Sequence, residues 1–254
     1  MIHSLPFAEL RAGQVKLGFW LTYPAPGILE VVHRDWDWFC LDSQHGQLEY
    51  ATLVEGMRAA DAVRVPTVIR VRDHSLGAIG PVLDTNCAGI IVPMVNTADD
   101  ARRAVEQAKF PPLGQRSYGG RRAVDLGGPT YWASANEECS LIVQIETAQA
   151  VDNVAAILET PGVDAVFLGP ADLRLSLGLP LDAPATHPEI HDRLARVAHA
   201  ARAANKVAGS AGGTTPDSLR LLADLGYTLI AACSDVMVIR QTSPTLSAAL
   251  RAAL

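Results

Sequence analysis

The chain has 254 residues, of which 49% are hydrophobic and 19% charged, and its formal net charge is −6. This apolar share excludes an intrinsically disordered chain. The negative charge and dispersed basic residues argue against a nucleic-acid partner, because phosphate binding uses clustered cations. The apolar runs are too short to span a bilayer, and residues 1–16 lack the apolar core of a secretion signal, so we expect a soluble, cytoplasmic protein.

Short apolar runs alternate with amphipathic stretches along the chain, which is the pattern of βα units and a parallel sheet. Strands are predicted near 15–22, 37–42, 66–71, 88–92, 140–145, 164–168, 206–210 and 228–233. Helices are predicted over 48–62, 75–85, 97–108, 147–159, 188–204, 215–225 and 235–253. This count favours a single (β/α)8 barrel domain, residues 1–254, over an open doubly wound sheet, which is the structural alternative.

Two predicted connections, 111–130 and 173–187, are longer than the rest. Loops of such length in compact domains are usually functional or disordered. We interpret both as following strands, which would place both on the face where barrel enzymes keep their active sites.

The cysteines are isolated in apolar stretches and form no CxxC pair. This pattern predicts reduced, buried thiols, and neither a zinc site nor a disulfide framework. The four are Cys40, Cys87, Cys139 and Cys233.

Polar residues lie at or just beyond the C-terminal ends of five of the predicted strands, where barrel chemistry takes place. They are Asp42 to Gly46, Arg70, Gln144 to Thr147, Gly169 to Asp172, and Ser234–Asp235. Taken singly, His45 could be structural, Arg70 could cap a helix, and Glu146 and Asp172 could favour helix starts. Their joint occurrence at one rim favours a catalytic site.

The two carboxylates suggest a hard divalent cation such as Mg²⁺, which is often held by one or two carboxylates. No set of three histidines or of cysteines suits zinc, and a single rim histidine fits a base better than a ligand. A Schiff-base mechanism needs a lysine at the mouth. The lysines, Lys16, Lys109 and Lys206, begin strands or end a helix, so imine chemistry is not expected.

Several motifs resemble the class II hydroxy-ketoacid aldolases of the HpcH/HpaI group, over nearly the whole chain. They are LDSQHG (41–46), IIVPMV (90–95), PPLGQRS (111–117), VQIET (143–147) and VDAVFLGPADL (163–173). The resemblance implies retro-aldol cleavage of a 4-hydroxy-2-oxo acid into pyruvate, or a close 2-oxo acid, and an aldehyde. It also implies Mg²⁺ or Mn²⁺, with Co²⁺ as a further option, and a homohexamer whose subunits exchange the C-terminal helix.

The resemblance also implies residue roles. Glu146 and Asp172 are similar to the metal ligands, and Gln144 and the Ala171 amide to substrate contacts. His45 resembles the general base and Arg70 the residue that holds the developing enolate oxygen. Asp84 is similar to the residue that, in this family, raises the basicity of the histidine at the position of His45.

Asp84 ends a predicted helix on the opposite face, so it would have to act across a subunit contact unless that helix boundary is wrong. Asp42 is the nearer alternative for orienting His45. The chain departs from the family at Gln44, where an acid is common, and at Ser117, where glycine usually follows the arginine. These changes affect the expected metal affinity and the aldehyde pocket respectively.

Two other functions stay open at this stage. A CoA-ester lyase of the citrate or malyl-CoA type shares the barrel and the metal carboxylates, and Arg116, Arg121 and Arg122 could bind its phosphates. A non-catalytic ligand-binding barrel is the other alternative, although mere binding needs no base beside a metal.

Overall fold

A computed structural model describes residues 4–254 of the chain. Eight parallel strands pair in sequence order, and β8 returns to β1 to close the barrel. This confirms the (β/α)8 prediction and excludes the open sheet. The strands are β1 (Lys16–Leu21), β2 (Trp38–Asp42), β3 (Thr67–Arg70), β4 (Gly89–Val92), β5 (Ser140–Ile145), β6 (Ala165–Leu168), β7 (Val207–Ala211) and β8 (Leu229–Ser234).

The helices surround the barrel. They are α1 (Phe7–Arg11), α2 (Gly27–Val32), α3 (Tyr50–Val63), α4 (Leu76–Leu83), α5 (Ala98–Ala108), α6 (Arg121–Gly127), α7 (Trp132–Glu138), α8 (Ala148–Asp152), α9 (Val154–Leu158), α10 (Pro170–Ser176), α11 (Pro188–Ala203), α12 (Pro216–Leu225) and α13 (Asp235–Arg251). The helix predicted over 147–159 is two helices, because Asn153 leaves the helical conformation and donates its side-chain amide to Asn96 O at 2.8 Å.

The barrel interior is filled by buried side chains of the strands, among which Trp38, Phe167 and Leu229 are large. Gly18 makes room for the Trp38 indole, since a Cβ at Gly18 would lie 2.2 Å from that ring. A second, larger apolar layer packs between the strands and the helices. The packed interior therefore leaves the strand ends as the place for polar chemistry.

The long connection 111–130 does not follow a strand, which corrects the sequence interpretation. It follows α5, contains α6 and leads into α7, which precedes β5. Because α5 has already carried the chain back, this connection lies at the N-terminal end of the barrel, opposite the mouth. The other long connection, 173–187, follows β6 on the expected side, and α10 occupies its first residues as far as Ser176.

The cysteines are free, as predicted. Cys40, Cys87 and Cys139 are buried, whereas Cys233 is only partly buried. The prediction of a buried thiol is therefore wrong for Cys233. Among residues 4–254, no helix combines the length and apolarity needed to cross a membrane.

Candidate active site

Glu146 is a buried carboxylate at the mouth of the barrel, with 1% of its surface exposed. It follows β5, and its Oε1 accepts a hydrogen bond from the Met94 backbone amide at 2.7 Å. Its Oε2 accepts one from Gln144 Nε2 at 2.5 Å. Burial raises the pKa of Glu146 to about 6, and the nearby charge of Asp172 adds to the rise. An additional positive charge beside Glu146 would therefore stabilise its ionised form.

Asp172 lies near Glu146 and belongs to α10, the helix that follows the neighbouring strand β6. It lies half-buried in the first turn of α10, next to the exposed Ala171. Gly169, which precedes that turn, makes the close approach possible: a Cβ there would lie 2.6 Å from Glu146 Oε2 and 2.7 Å from Gln144 Nε2. The two predicted metal carboxylates thus share one side of the mouth.

Arg70 forms a buried, two-pronged ion pair with Asp42. Nε donates to Asp42 Oδ1 at 2.9 Å and Nη2 to Oδ2 at 2.6 Å. The two residues meet because they are register partners at the ends of β2 and β3. Burial alone would raise the pKa of Asp42, but the hydrogen bonds and charge of Arg70 hold it below its ordinary value. Arg70 is therefore a fixed cation at the rim.

A cavity of about 260 Å³ opens beside Arg70 and Gln144. Trp20 and Phe167 form one of its walls, with their ring centroids 5.8 Å apart, and the Arg70 guanidinium lies 5.0 Å from the Trp20 ring. The Oε1 atom of Gln144 is buried and has no hydrogen-bond partner within residues 4–254. The cavity thus combines an apolar wall with a cation and an unused acceptor.

His45 stands on the same rim, in the segment after β2, and is exposed to solvent. Its backbone amide donates to Asp42 Oδ1 at 3.3 Å, so Asp42 fixes the His45 backbone and the Arg70 guanidinium. Asp42 makes no contact with the imidazole among the hydrogen bonds of the described chain, and the alternative that it orients the ring gains no support. The neighbouring Gln44 has a buried Oε1 that lacks a partner in the same part of the chain.

Asp84 is not brought to this mouth. It caps the C-terminus of α4 at the other end of the barrel, where its Oδ1 lies 3.8 Å from Arg116 Nη2. The helix boundary therefore agrees with the sequence prediction. Within one protomer Asp84 is remote from His45, so any contact between them requires a second subunit.

The lysines lie at that remote end too. Lys16 pairs with Glu9 at 2.6 Å, Lys109 with Asp164 at 2.8 Å, and Lys206 donates to Val163 O at 2.6 Å. Since these are the only lysines in the sequence, the geometry agrees with the expectation that no lysine amine serves the mouth.

Several contributors to the mouth escaped the sequence analysis. Met94 supplies a backbone amide to Glu146 from a left-handed conformation, φ 57°. The Asp42–Arg70 pair depends on strand register, and Trp20 depends on the barrel's closure. His74, between β3 and α4, is a second histidine on this face, and its Nδ1 is buried without a partner in the part of the chain that is described.

The donor set suits a hard divalent cation that is only partly ligated by protein. No cluster of three or more histidine, cysteine or acidic side chains able to hold a metal occurs in residues 4–254. The two carboxylates are the buried Glu146 and the half-buried Asp172. A cation held by these two groups would keep coordination positions for water and a bound ligand. The residues therefore fit magnesium-type chemistry and do not fit a closed zinc site.

Comparisons with known proteins agree with this geometry. The family model for HpcH/HpaI aldolase/citrate lyase matches residues 16–242. The 4-hydroxy-2-oxovalerate aldolase of Novosphingobium aromaticivorans is 43% identical over 175 residues, which are 68% of this chain and 67% of that protein. The 2-keto-3-deoxy-L-rhamnonate aldolase of Salmonella gallinarum is 38% identical over 81% of this chain and 78% of its own length.

Among solved structures, an HpcH/HpaI aldolase/citrate lyase family protein from Burkholderia cenocepacia superposes with a TM-score of 0.87. It is 31% identical, and the match covers 96% of this chain and 98% of that one. The family model spans most of the chain, and the two curated relatives exceed a third in identity. This chain therefore belongs to the HpcH/HpaI aldolase/citrate lyase family.

Proposed function

We propose that the protein is a divalent-metal-dependent class II aldolase. It cleaves a 4-hydroxy-2-oxo acid into pyruvate, or a close 2-oxo acid, and an aldehyde. The observation that carries the proposal is the buried Glu146, held by Met94 and Gln144 beside Asp172, at the same mouth as the fixed cation Arg70. Two relatives that are similar in sequence are a 4-hydroxy-2-oxovalerate aldolase and a 2-keto-3-deoxy-L-rhamnonate aldolase.

Glu146 and Asp172 would hold the cation, Mg²⁺ or Mn²⁺ and alternatively Co²⁺. When bound, the cation supplies Lewis-acid stabilisation of the negative charge that develops on the oxygen of the 2-oxo group. The buried Glu146, already hydrogen-bonded through both oxygens, is preorganised for this task.

The protein's own residues supply the remaining steps. His45 takes the proton from the substrate's 4-hydroxyl, and the electrons of that O–H bond form the aldehyde carbonyl as the C3–C4 bond breaks. The electron pair of the broken bond moves toward the 2-oxo oxygen, where Arg70, fixed by Asp42, donates a hydrogen bond. Protonation of C3 then gives the 2-oxo acid. Gln144 and the Ala171 amide position the substrate.

The rival CoA-ester lyase has less support. The arginines that could bind CoA phosphates, Arg116, Arg121 and Arg122, lie at the end opposite the mouth. Each has a carboxylate partner, namely Asp84, Asp125 and Asp61 respectively. They therefore form no free basic patch beside Glu146 within the protomer. A non-catalytic barrel would not account for a base, a fixed cation and two carboxylates at one mouth.

We further propose a homo-oligomer, a hexamer whose subunits exchange α13. Two observations support it. Beyond its first turn, α13 exposes an apolar face, with Ile239, Leu246 and Leu250 each more than half exposed. Isolated monomers rarely leave such a patch uncovered. Asp84 also lies too far from the mouth of its own barrel to serve it, whereas a neighbour's mouth could be within reach.

Metal dependence tests the function directly. Pyruvate release from a panel of 4-hydroxy-2-oxo acids should stop with EDTA and return with Mg²⁺, Mn²⁺ or Co²⁺. It should survive borohydride treatment in the presence of substrate, because the lysines lie at the remote end. Mass spectrometry that finds a covalent pyruvyl adduct after borohydride would refute this mechanism.

Gly169→Ala should weaken metal binding by about 10- to 100-fold, as loss of supporting structure around ligands typically does. The added methyl would displace Glu146 and Gln144 from their present positions. Isothermal titration with Mn²⁺ measures the effect. Gly77→Ala is the matched control, because its nearest neighbouring atom lies 4.0 Å from the added carbon. Equal Mn²⁺ affinities for both variants would contradict the prediction. They would show that the position of Glu146 against Gly169 does not matter for metal binding.

A further inference from the structure

Arg116 is a buried cation that the proposed chemistry does not use. It lies in the connection between α5 and β5, with 7% of its surface exposed. Its guanidinium carbon lies 4.8 Å from the Phe110 ring and 5.8 Å from the Tyr131 ring. Its Nε is buried and has no hydrogen-bond partner within residues 4–254. Burying a guanidinium is costly, so its position requires a reason beyond filling space.

The carboxylate that faces Arg116 belongs to Asp84. Nη2 and Oδ1 are 3.8 Å apart, and no other acidic side chain of the described chain lies within ion-pairing distance of Arg116. The Asp84 side chain is 33% exposed, whereas that of Arg116 is 5% exposed. The pair therefore has a buried, fixed cation on the inside and a carboxylate that still reaches the surface.

The same connection encloses Asp84 from a second side. Gly120, with φ +77°, passes so close that a Cβ there would lie 2.5 Å from Asp84 Oδ1. The next helix adds Arg122, which donates to Thr85 O at 3.2 Å and to Asp61 at 2.5 Å. The end of α4 is thus pinned on both sides of Asp84.

A purely structural role explains this arrangement poorly. Replacing a buried charge by a well-packed apolar side chain is often neutral or stabilising, so stability alone does not call for arginine between two aromatic rings. Burial raises the pKa of Asp84, while the charge of Arg116 opposes that rise. Arg116 therefore favours an ionised carboxylate at a surface position.

We propose that Arg116 is a positioning residue, which fixes the carboxylate of Asp84 at the N-terminal end of the barrel for contact with a neighbouring protomer's active site. This inference rests on the proposed aldolase function and assembly. It adds that residues 109–120, which connect α5 to α6, hold the Asp84 carboxylate in position within each subunit before the subunits assemble. Arg116 touches no substrate and acts only through Asp84.

The test is a double-mutant cycle on the full-length oligomer. Arg116→Met and Asp84→Asn should each lower kcat for aldol cleavage by about 10- to 100-fold with little change in KM, in the range seen for supporting residues of an active site. The double variant should be no slower than Asp84→Asn alone, because Arg116 acts through Asp84. Arg116→Lys should recover part of kcat. Arg196→Met, which removes a surface pair with Asp152, is the control and should keep the wild-type rate.

Light scattering and circular dichroism should show an unchanged mass and fold for each variant. Arg116→Lys carries the test if Arg116→Met does not fold. Multiplicative losses in the double variant, or a wild-type rate for Arg116→Met or Asp84→Asn, would overturn the inference while leaving the aldolase function intact. A wild-type protein that cleaves no member of the substrate panel would overturn the proposed function, and this inference with it.

Discussion

His45→Ala is expected to lower kcat for aldol cleavage by about 10²–10⁴-fold, the usual effect of a lost general base. Metal binding should persist, because His45 is exposed and makes no contact with Glu146 among the hydrogen bonds of the structure. Deuterium exchange at the pyruvate methyl should be reduced much less than cleavage, since exchange does not require removal of the 4-hydroxyl proton. NMR of pyruvate in D₂O and a coupled assay of pyruvate release measure the two steps separately.

Arg70→Ala should show the complementary pattern, with methyl exchange lost as well as cleavage. Arg70 donates where the oxygen charge develops, so its removal affects both reactions. The alanine variant also leaves Asp42, whose side chain is 2% exposed, as an unpaired buried charge. Breaking such a pair typically costs about 3–5 kcal/mol. Arg70→Lys, which keeps the charge, therefore serves as the control for stability.

These two variants distinguish the residue roles. Methyl exchange at the wild-type rate in Arg70→Ala would show that Arg70 does not stabilise the developing charge. Wild-type cleavage in His45→Ala would remove His45 as the base. His74 lies on the same face, and its Nδ1 has no hydrogen-bond partner within residues 4–254, so it would be the next residue to replace.

Leu246→Glu combined with Leu250→Glu is expected to abolish assembly and, with it, nearly all activity. Both leucines lie on the exposed apolar face of α13, and a charge on either would be buried unpaired in an interface. Gln241→Glu with Thr245→Glu adds the same charge elsewhere on α13 and is the matched control. Light scattering gives the mass: wild-type protein that stays near 27.0 kDa, the mass of one chain, would end the idea of an oligomer.

Point substitutions are preferable to removal of the whole segment 234–254. Asp235, at the start of α13, accepts hydrogen bonds from Thr22 and Tyr23 in its own barrel. Deleting it would damage the protomer as well as the interface. A truncation that begins at residue 243 keeps these contacts and should reproduce the effect of the glutamates.

Mixing two variants of reduced activity tests whether neighbouring subunits share a site. If Asp84 acts on the next subunit's mouth, oligomers reassembled from equal amounts of His45→Ala and Asp84→Asn protomers contain sites with both residues intact. Random assembly across a head-to-tail contact would make about a quarter of the sites intact. Recovery of activity after reassembly supports the shared site. No recovery, in oligomers shown to be mixed, would place Asp84 outside it.

Much of the fold could be predicted from the sequence, because buried parallel strands appear as continuous apolar runs and the helices between them as amphipathic stretches. The apolar runs 66–71, 140–145 and 164–168, for example, predicted β3, β5 and β6 at nearly their observed positions. The polar residues just beyond those runs marked the rim, because the topology of the barrel brings all strand ends to one side. Glu146, Asp172 and His45 could therefore be nominated without coordinates.

Other features depended on contacts between distant segments. The Asp42–Arg70 pair requires β2 and β3 in one register, and the Met94 amide reaches Glu146 only through a left-handed turn. The direction of the connection 111–130 was misread, because local composition does not tell whether a loop follows a strand or a helix. The sequence predicted a helix over 235–253, but only the tertiary structure shows that its apolar residues Ile239, Leu246 and Leu250 are exposed on the protomer. The local pattern of apolar residues indicates which residues are buried. The hydrogen-bond or ion-pair partner of a residue depends on tertiary contacts between distant segments, which the local pattern does not contain.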